Sequence, residues 1–389
     1  MALLRSYAAP LAAVAVLVTA GCATGEAGAT SGPSDEITIG VIAPFSGFSA
    51  NYGPEAQAGV ELALEEAGYS AGGATLDVVF VDEDVLDPSQ TLERVKKAVE
   101  GDGADVLIGP VFGSSQQAVA PYLSQRKLPM FSFLGGQSSL AGERSGFIWP
   151  APDDQTARPL GTYAGEDLGY DTIATLGPDY AYGHDTMNGA AEAFEATGGT
   201  VVQQQWVPLG TTDMLQYATS LDRDVDALVM WLVPTDAAAF VREYRNLGID
   251  VPLLMFQGVF DPTYQEIGSQ LVGTIGLNEY NPLLDYPENQ AFVAAYEAEV
   301  GGVPNQTTAF AYTATEFVVQ GLTNSGTDPS VDALREALAG HEFDTVIGPA
   351  RFDADGIASS NRVVVRAAEA DGAYIWEPLK TYESVGADR

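Results

Sequence analysis

The sequence predicts an α/β protein made of two Rossmann-like lobes. Three observations carry that reading. Short β-branched runs alternate with amphipathic helical patterns, and the alternation restarts midway along the chain. The stretch behind the N-terminal segment, roughly 350 residues, also exceeds one comfortable hydrophobic core.

In the first unit, residues 37–43 (ITIGVIA) read as a strand. A helix follows over 56–67, with Val60, Ala63, Leu64 and Ala67 on one face and Glu61, Glu65 and Glu66 on the other. Strands at 76–81, 106–108 and 129–133 alternate with helices at 89–100 and 116–125. The second unit repeats the pattern, with strands at 172–176, 201–206, 227–232 and 252–256. Its helices are expected at 186–196, 215–221 and 237–247. Further helices are expected at 290–300, 309–324 and 331–339, and a β-turn-β ending runs from Ala350 through 362–367 to 374–378.

The N-terminus has a different character. Residues 1–21 combine Arg5 with an apolar run too short to span a bilayer, which needs about 20 residues. The run ends at Ala20-Gly21 and the chain's only cysteine, Cys22. This layout resembles a bacterial lipobox, with Thr19 where leucine is commonest, and implies acylation of Cys22. Residues 22–36, rich in Gly, Ala, Ser and Thr, read as a flexible tether. The protein is therefore expected outside the cytoplasm, held to the membrane through its lipid anchor only.

Acids dominate the charge, 53 Asp and Glu against 17 Lys and Arg, a net of −36. Nucleic acid is excluded as a partner, since the polyanion would be repelled. The acids are dispersed, as suits a solvated coat. Asp353-Ala-Asp355-Gly356 imitates half a calcium loop but lacks the closing glutamate, and a β-turn is expected there. The Asp82-Glu83-Asp84 cluster is read as a strand end, with Asp87-Pro88-Ser89 capping the next helix. No metal site and no cofactor are expected.

Catalytic constellations are equally scarce. His184 and His341 are the only histidines, and no serine elbow, P-loop or complete G-x-G-x-x-G occurs. His184 is expected to be a surface or capping residue. The chain is not expected to be an enzyme. In open parallel sheets, ligands bind beyond the carboxyl ends of the strands where the chain order reverses. That rule nominates the loops 44–53, 109–115 and 134–138 in the first unit and 177–183, 233–236 and 257–261 in the second. All are built from Gly, Pro, Ser, Gln, Asp and aromatic residues, which suit a small molecule.

The runs IGVIAPFSGFSANYGPEAQAGVELALEEAG, VDEDVLDPSQT, VLIGPVFGSSQQAVAP, GPDYAYGHDTMNGAAEAFEATGGTVV and TVIGPARFDADG carry a family resemblance. The chain resembles the branched-chain amino-acid (leucine/isoleucine/valine) class of solute-binding proteins of ABC transporters, with the type I periplasmic-binding, or Venus-flytrap, fold. That resemblance implies lobes joined by a three-strand hinge, with crossings near 150–152, 281–284 and 346–351. The lobes would comprise 37–151 plus 283–347 and 152–282 plus 348–389. It also implies a monomer that closes on a small-molecule ligand and presents it to a permease. A ligand sensor signalling to a membrane partner is the alternative, and an extracytoplasmic hydrolase a more distant one.

By the same resemblance, Tyr52 caps the ligand, Val111 and Phe112 line the pocket, and Tyr182 is a second-lobe aromatic. Gly135 and Val233 complete the expected lining. The polar clamp departs from the family: Gly113, beside Ser114, stands where a serine grips the ligand carboxylate, and Gly136 replaces a threonine. Gln257 stands where an acid neutralises the ligand ammonium. Either Asp179, Asp236 or Asp261 substitutes, or the ligand is no zwitterionic amino acid. The two glycines are expected to leave room for a bulkier or flatter ligand. A neutral or weakly acidic molecule is expected first, a modified or aromatic amino acid second.

Overall fold

The computed structural model describes residues 33–137, 140, 143, 145–256, 267–370 and 372–386. Cys22, the expected signal peptide and most of the tether lie outside the described residues, as do Gln257 and Asp261. Among the described residues, no helix is long and apolar enough to cross a membrane.

The first lobe contains β1 (Glu36–Ala43), β2 (Ser70–Ala71), β3 (Ala74–Asp82), β4 (Ala104–Ile108), β5 (Met130–Phe131) and β6 (Gly146–Phe147). They form a six-stranded sheet in the order β2-β3-β1-β4-β5-β6, parallel except for the β2-β3 hairpin. Helices α1 (Tyr52–Glu66), α2 (Pro88–Glu100) and α3 (Gly113–Arg126) make the crossovers. Asp87 caps α2 as expected, accepting the Ser89 N–H at 3.1 Å ahead of Pro88 at the first helical position.

The second lobe opens with the short helices α4 (Asp153–Thr156) and α5 (Arg158–Glu166). There follow β7 (Thr172–Pro178), α6 (Ala181–Ala196), β8 (Thr200–Val207), α7 (Leu215–Thr219), β9 (Ala227–Met230) and α8 (Pro234–Asn246). Then come β10 (Leu253–Phe256), α9 (Gly268–Leu271) and β11 (Ile275–Asn278). The last part contributes α10 (Pro287–Glu299), α11 (Gln306–Asn324), α12 (Val331–Leu338), β12 (Glu342–Thr345), β13 (Gly348–Phe352), β14 (Ala358–Ala370) and β15 (Ala373–Val385). Among the described residues the second sheet has nine strands, in the order β12-β13-β14-β11-β10-β9-β7-β8, with β15 on β14.

The late helices return to the first lobe. α11 packs on α1 so closely that a Cβ at Gly59 would stand 2.2 Å from the Thr308 carbonyl oxygen. The same lobe gathers an aromatic core: Phe131 stacks on Phe147 at 4.3 Å, and Trp149 meets Phe317 at 5.0 Å. Phe352 of β13 joins it, 4.9 Å from Phe317, although β13 hydrogen-bonds to β14 of the second sheet. At the β13–β14 link, Asp353 Oδ1 accepts the N–H groups of Asp355 and Ile357 at 2.8 and 2.9 Å. This is the expected β-turn.

Several helices start earlier than the sequence pattern suggests. α1 begins at Tyr52, α3 at Gly113, α6 at Ala181 and α8 at Pro234, so parts of four nominated loops are first helical turns. The loops are nominated from the carboxyl ends of the strands, and glycine or proline near a helix start, unfavourable in a helix interior, is tolerated in the first turn. Helices α4 and α5 and strands β2, β6, β11 and β12 were not anticipated at all.

Strand order positions the site. β1 lies between β3 and β4, and β7 lies between β8 and β9, so each sheet reverses direction at its first strand. The loops leaving β1, β4, β7 and β9 are thus the ones that can surround a ligand.

Candidate ligand-binding crevice

Aromatic rings follow all four of those strands, in the loops or in the first turns of the helices behind them. Phe48 and Tyr52 follow β1, Phe112 follows β4, Tyr180 and Tyr182 follow β7, and Trp231 follows β9. Phe112 lies 6.5 Å from Phe48 and 6.0 Å from Tyr52 within the first lobe. In the second, Tyr182 meets Trp231 edge-on at 4.7 Å, and Tyr180 lies 6.2 Å from each of them. The two groups touch across the interlobe boundary, Phe112 to Tyr180 at 5.9 Å. These separations suit offset or edge-on ring packing. Burial holds the phenols of Tyr180 and Tyr182 well above their usual pKa, so both rings present a protonated hydroxyl.

Beneath the first-lobe rings, the carboxylate of fully buried Glu83 accepts the Val111 N–H at 2.8 Å and the Phe112 N–H at 3.0 Å. Burial raises its pKa to about 7 against the opposing pull of Ser115 and those two amides. Asp82 holds the next loop, accepting the Phe45 and Ser46 N–H groups at 2.8 and 3.0 Å and pairing with Arg94 at 3.1 Å. The acidic cluster at the end of β3 therefore shapes two rim loops.

A second polar group ties together segments that lie far apart in the sequence. Glu279, just past β11, and Arg362 of β14 form an ion pair of 3.1 Å with both side chains fully buried. Arg362 also donates to Ser360 Oγ at 2.8 Å, Ser360 donates to the Pro150 carbonyl at 2.8 Å, and Gln306 of α11 donates to Glu279 at 3.1 Å. Burial works against the charge of Arg362, and the Glu279 carboxylate sustains it. One network thus joins the segments around residues 150, 279 and 360 to a first-lobe helix.

Most expected lining positions gather at this crevice. Tyr52 and Phe112 touch, Val111 precedes Phe112, and Gly113 and Ser114 open α3. Val233 shares one buried cluster with Tyr182 and Trp231. Gly135, with φ +95°, lies against the Tyr182 ring and the Asp153 carboxylate, and Gly136 pairs with Pro152. Gln257 falls outside the described residues.

The expected spare room at the glycines is corrected. A Cβ at Gly113 would stand 2.8 Å from the Gln137 side chain, and one at Gly136 would stand 2.7 Å from Ile148. Larger neighbours already fill both spaces. Nor do the described substitute acids stand free. Asp179 pairs with His184 at 2.9 Å on the surface, where the imidazole lies tilted against Trp206 at 3.9 Å. Asp236 is engaged by Thr235 at 3.3 Å and by the Gly210 amide.

Sequence reasoning missed Trp231, Tyr180 and Asp153. Trp231 was absorbed into the strand pattern of 227–232, whereas β9 ends at Met230 and releases the indole into the crevice. Tyr180 sat in a nominated loop and could have been found there, two residues before Tyr182. Asp153, 1% exposed, carried no signal beyond its place after Pro152.

Two lobes of like topology, with facing switch points and a shared aromatic crevice, define a two-lobed binding protein for a small molecule. The chain belongs to the periplasmic binding protein family, whose model matches residues 36–373. It is 26% identical over 374 residues to a Leu/Ile/Val-binding protein homolog of Brucella suis, covering 92% of this chain and 94% of that one. Among solved structures, an ABC transporter substrate-binding protein from Sphaerobacter thermophilus superposes with a TM-score of 0.82 at 25% identity, over 90% of this chain and 98% of that one. A solute-binding protein of an ABC transporter from R. palustris, in complex with 4-hydroxybenzoate, gives a TM-score of 0.85 at 24% identity, over 91% and 99%. The architecture is the type I periplasmic-binding fold. The protein is a small-ligand-binding component of the ABC-transporter class that acts outside the cytoplasm, in a family of binding proteins and not of enzymes.

Proposed function

We propose that this protein captures a compact organic molecule, amino-acid-like or related, between its lobes and delivers it to the permease of an ABC transporter. The observation that carries the reading is the meeting of rings from opposing switch points, Phe112 against Tyr180 at 5.9 Å. A ligand held there touches both lobes at once and so favours the closed arrangement over the open one. The lobes divide as 37–151 plus 283–347 and 152–282 plus 348–389. The buried Glu279–Arg362 network is the hinge on which they turn, and the protein works as a monomer. Lipid on Cys22 holds it near its permease, with the glycine- and serine-rich tether allowing reach. Relatives bearing Leu/Ile/Val-binding names and a neighbour holding 4-hydroxybenzoate bracket the size of the guest.

Isothermal calorimetry against a panel of amino acids, amines and aromatic acids tests this. Trp231→Ala in one lobe and Tyr52→Ala in the other each weaken the ligand found by about 30-fold or more, roughly 2 kcal/mol, as central aromatic contacts do. Unfolding temperatures without ligand separate lost contact from lost fold. Unchanged affinity in both variants removes the crevice as the site.

A further inference from the structure

The crevice contains an acid that the fold leaves half satisfied. Asp153 opens α4 and is 1% exposed. Its Oδ2 accepts a 3.0 Å hydrogen bond from Gln137 Nε2, while its Oδ1 has no hydrogen-bond partner among the described residues. Gln137 is fixed in turn: its backbone N–H donates to Gln116 Oε1 at 3.0 Å, and its amide oxygen accepts from Gln117 Nε2. The amide nitrogen of Gln137 is therefore the end that faces Asp153, and a relay of three glutamines holds the carboxyl group in place. The other oxygen is presented without a mate. A polar atom buried in this way bears the whole loss of its hydration.

That oxygen sits at the crevice wall. It lies 2.6 Å from the point where a Cβ on Gly135 would stand, and the Tyr182 ring flanks the same point at 3.4 Å. The surroundings select the sign of a guest. Asp185 of α6, Glu279 past β11 and the neighbouring Asp154 all add negative potential at Asp153. Arg362, the buried cation nearby, is committed to Glu279. An anion would meet repulsion, whereas a cation would meet an acceptor, and the faces of Tyr180, Tyr182 and Trp231 attract cations as well.

Building on the crevice reading above, we propose that Asp153 Oδ1 receives a protonated primary amine of the ligand, so that the site takes ammonium compounds with an aromatic or bulky apolar body, amino acids included. This reverses the expectation of a neutral or weakly acidic guest, which rested on the absence of an acid at Gln257. Burial, reinforced by Asp185, Glu279 and Asp154, holds the Asp153 carboxyl well above the usual carboxylate range, with Gln137 pulling the other way. A cation at Oδ1 favours the ionised carboxylate against that burial. An entering R–NH3+ keeps its own three protons and donates one of its N–H groups to Oδ1, and any proton the carboxyl group held leaves to solvent.

The test is calorimetry with phenethylamine, L-phenylalanine, 3-phenylpropanoate and 4-hydroxybenzoate, on the wild-type protein and on Asp153→Asn and Trp231→Ala. The wild type binds at least one of the two amines and binds neither acid as tightly. Asp153→Asn, which keeps the shape and the Gln137 contact, weakens the amine at least 30-fold, at an unchanged unfolding temperature without ligand. Tighter binding of either acid, or amine affinity within twofold of wild type in Asp153→Asn, overturns the assignment. If Trp231→Ala still destroys binding in that case, the crevice reading stands alone. If no probe binds, or Trp231→Ala binds every probe like the wild type, the two fall together. Should Asp153→Asn unfold, Gln137→Met, which frees Oδ2 while leaving the acid, must change the amine affinity at least threefold, and no change overturns the proposal.

Discussion

Glu316 of α11 lies at the packed α1–α11 face beside Glu66, whose carboxylate accepts the Tyr312 hydroxyl at 2.6 Å. Burial is the main force raising the Glu316 pKa to about 8, with Glu66 and Glu288 of α10 adding repulsion and Tyr312 opposing it. The native state therefore keeps a proton on Glu316 that the unfolded chain releases in the ordinary glutamate range. Stability is fuller below that range and declines as pH rises through it toward about 8. Glu316→Gln removes this loss. Calorimetric unfolding should show the variant more stable at pH 8.5, on the order of 2 kcal/mol, and close to wild type at pH 4.5. Other residues show how far the sequence could be read at this scale. Glycines 113 and 136 were legible as departures from a clamp pattern, but their neighbours Gln137 and Ile148 come from elsewhere in the chain. A missing Cβ does not announce whether another side chain fills its place. The same limit hid Asp153, whose significance lies in what surrounds it.

At the level of elements, patterning served where periodicity and capping agreed. Asp87-Pro88-Ser89 marked the start of α2, and the apolar face of α1 was visible in its sequence. It failed where tertiary contact overrides propensity. α5, RPLGTYAGE, contains proline and two glycines, a weak helix by composition, yet Gly161 is needed there: a Cβ would stand 2.0 Å from the Ala190 carbonyl oxygen of α6. β15, paired along β14 over residues 373–385, runs well beyond the expected 374–378, because its length is set by its partner strand. The α1–α11 contact supplies a test of this kind of packing. Gly59→Ala places a methyl 2.2 Å from the Thr308 carbonyl oxygen, a backbone atom that cannot turn aside. It should cost about 1–3 kcal/mol in denaturant unfolding, as overpacking does. A neutral result would mean that the helices slide apart freely.

For the whole molecule, the restart of the β-α alternation made two lobes legible, and the switch-point rule named most of the loops that line the crevice. The sequence could not reveal that the two switch points face each other closely enough for Phe112 to meet Tyr180 at 5.9 Å. That juxtaposition depends on how residues distant in sequence are brought together, which no local pattern encodes. With Phe112 and Tyr180 this close, capture between the lobes, as proposed above, requires a more open state that admits the guest. Small-angle X-ray scattering is the direct measurement, on protein stripped of small molecules by unfolding and refolding and then titrated with amino acids, amines and aromatic acids. A compound that binds should shrink the radius of gyration and match the profile of the closed structure at saturation. A compound that saturates the protein by calorimetry and leaves the scattering profile unchanged would contradict capture between moving lobes.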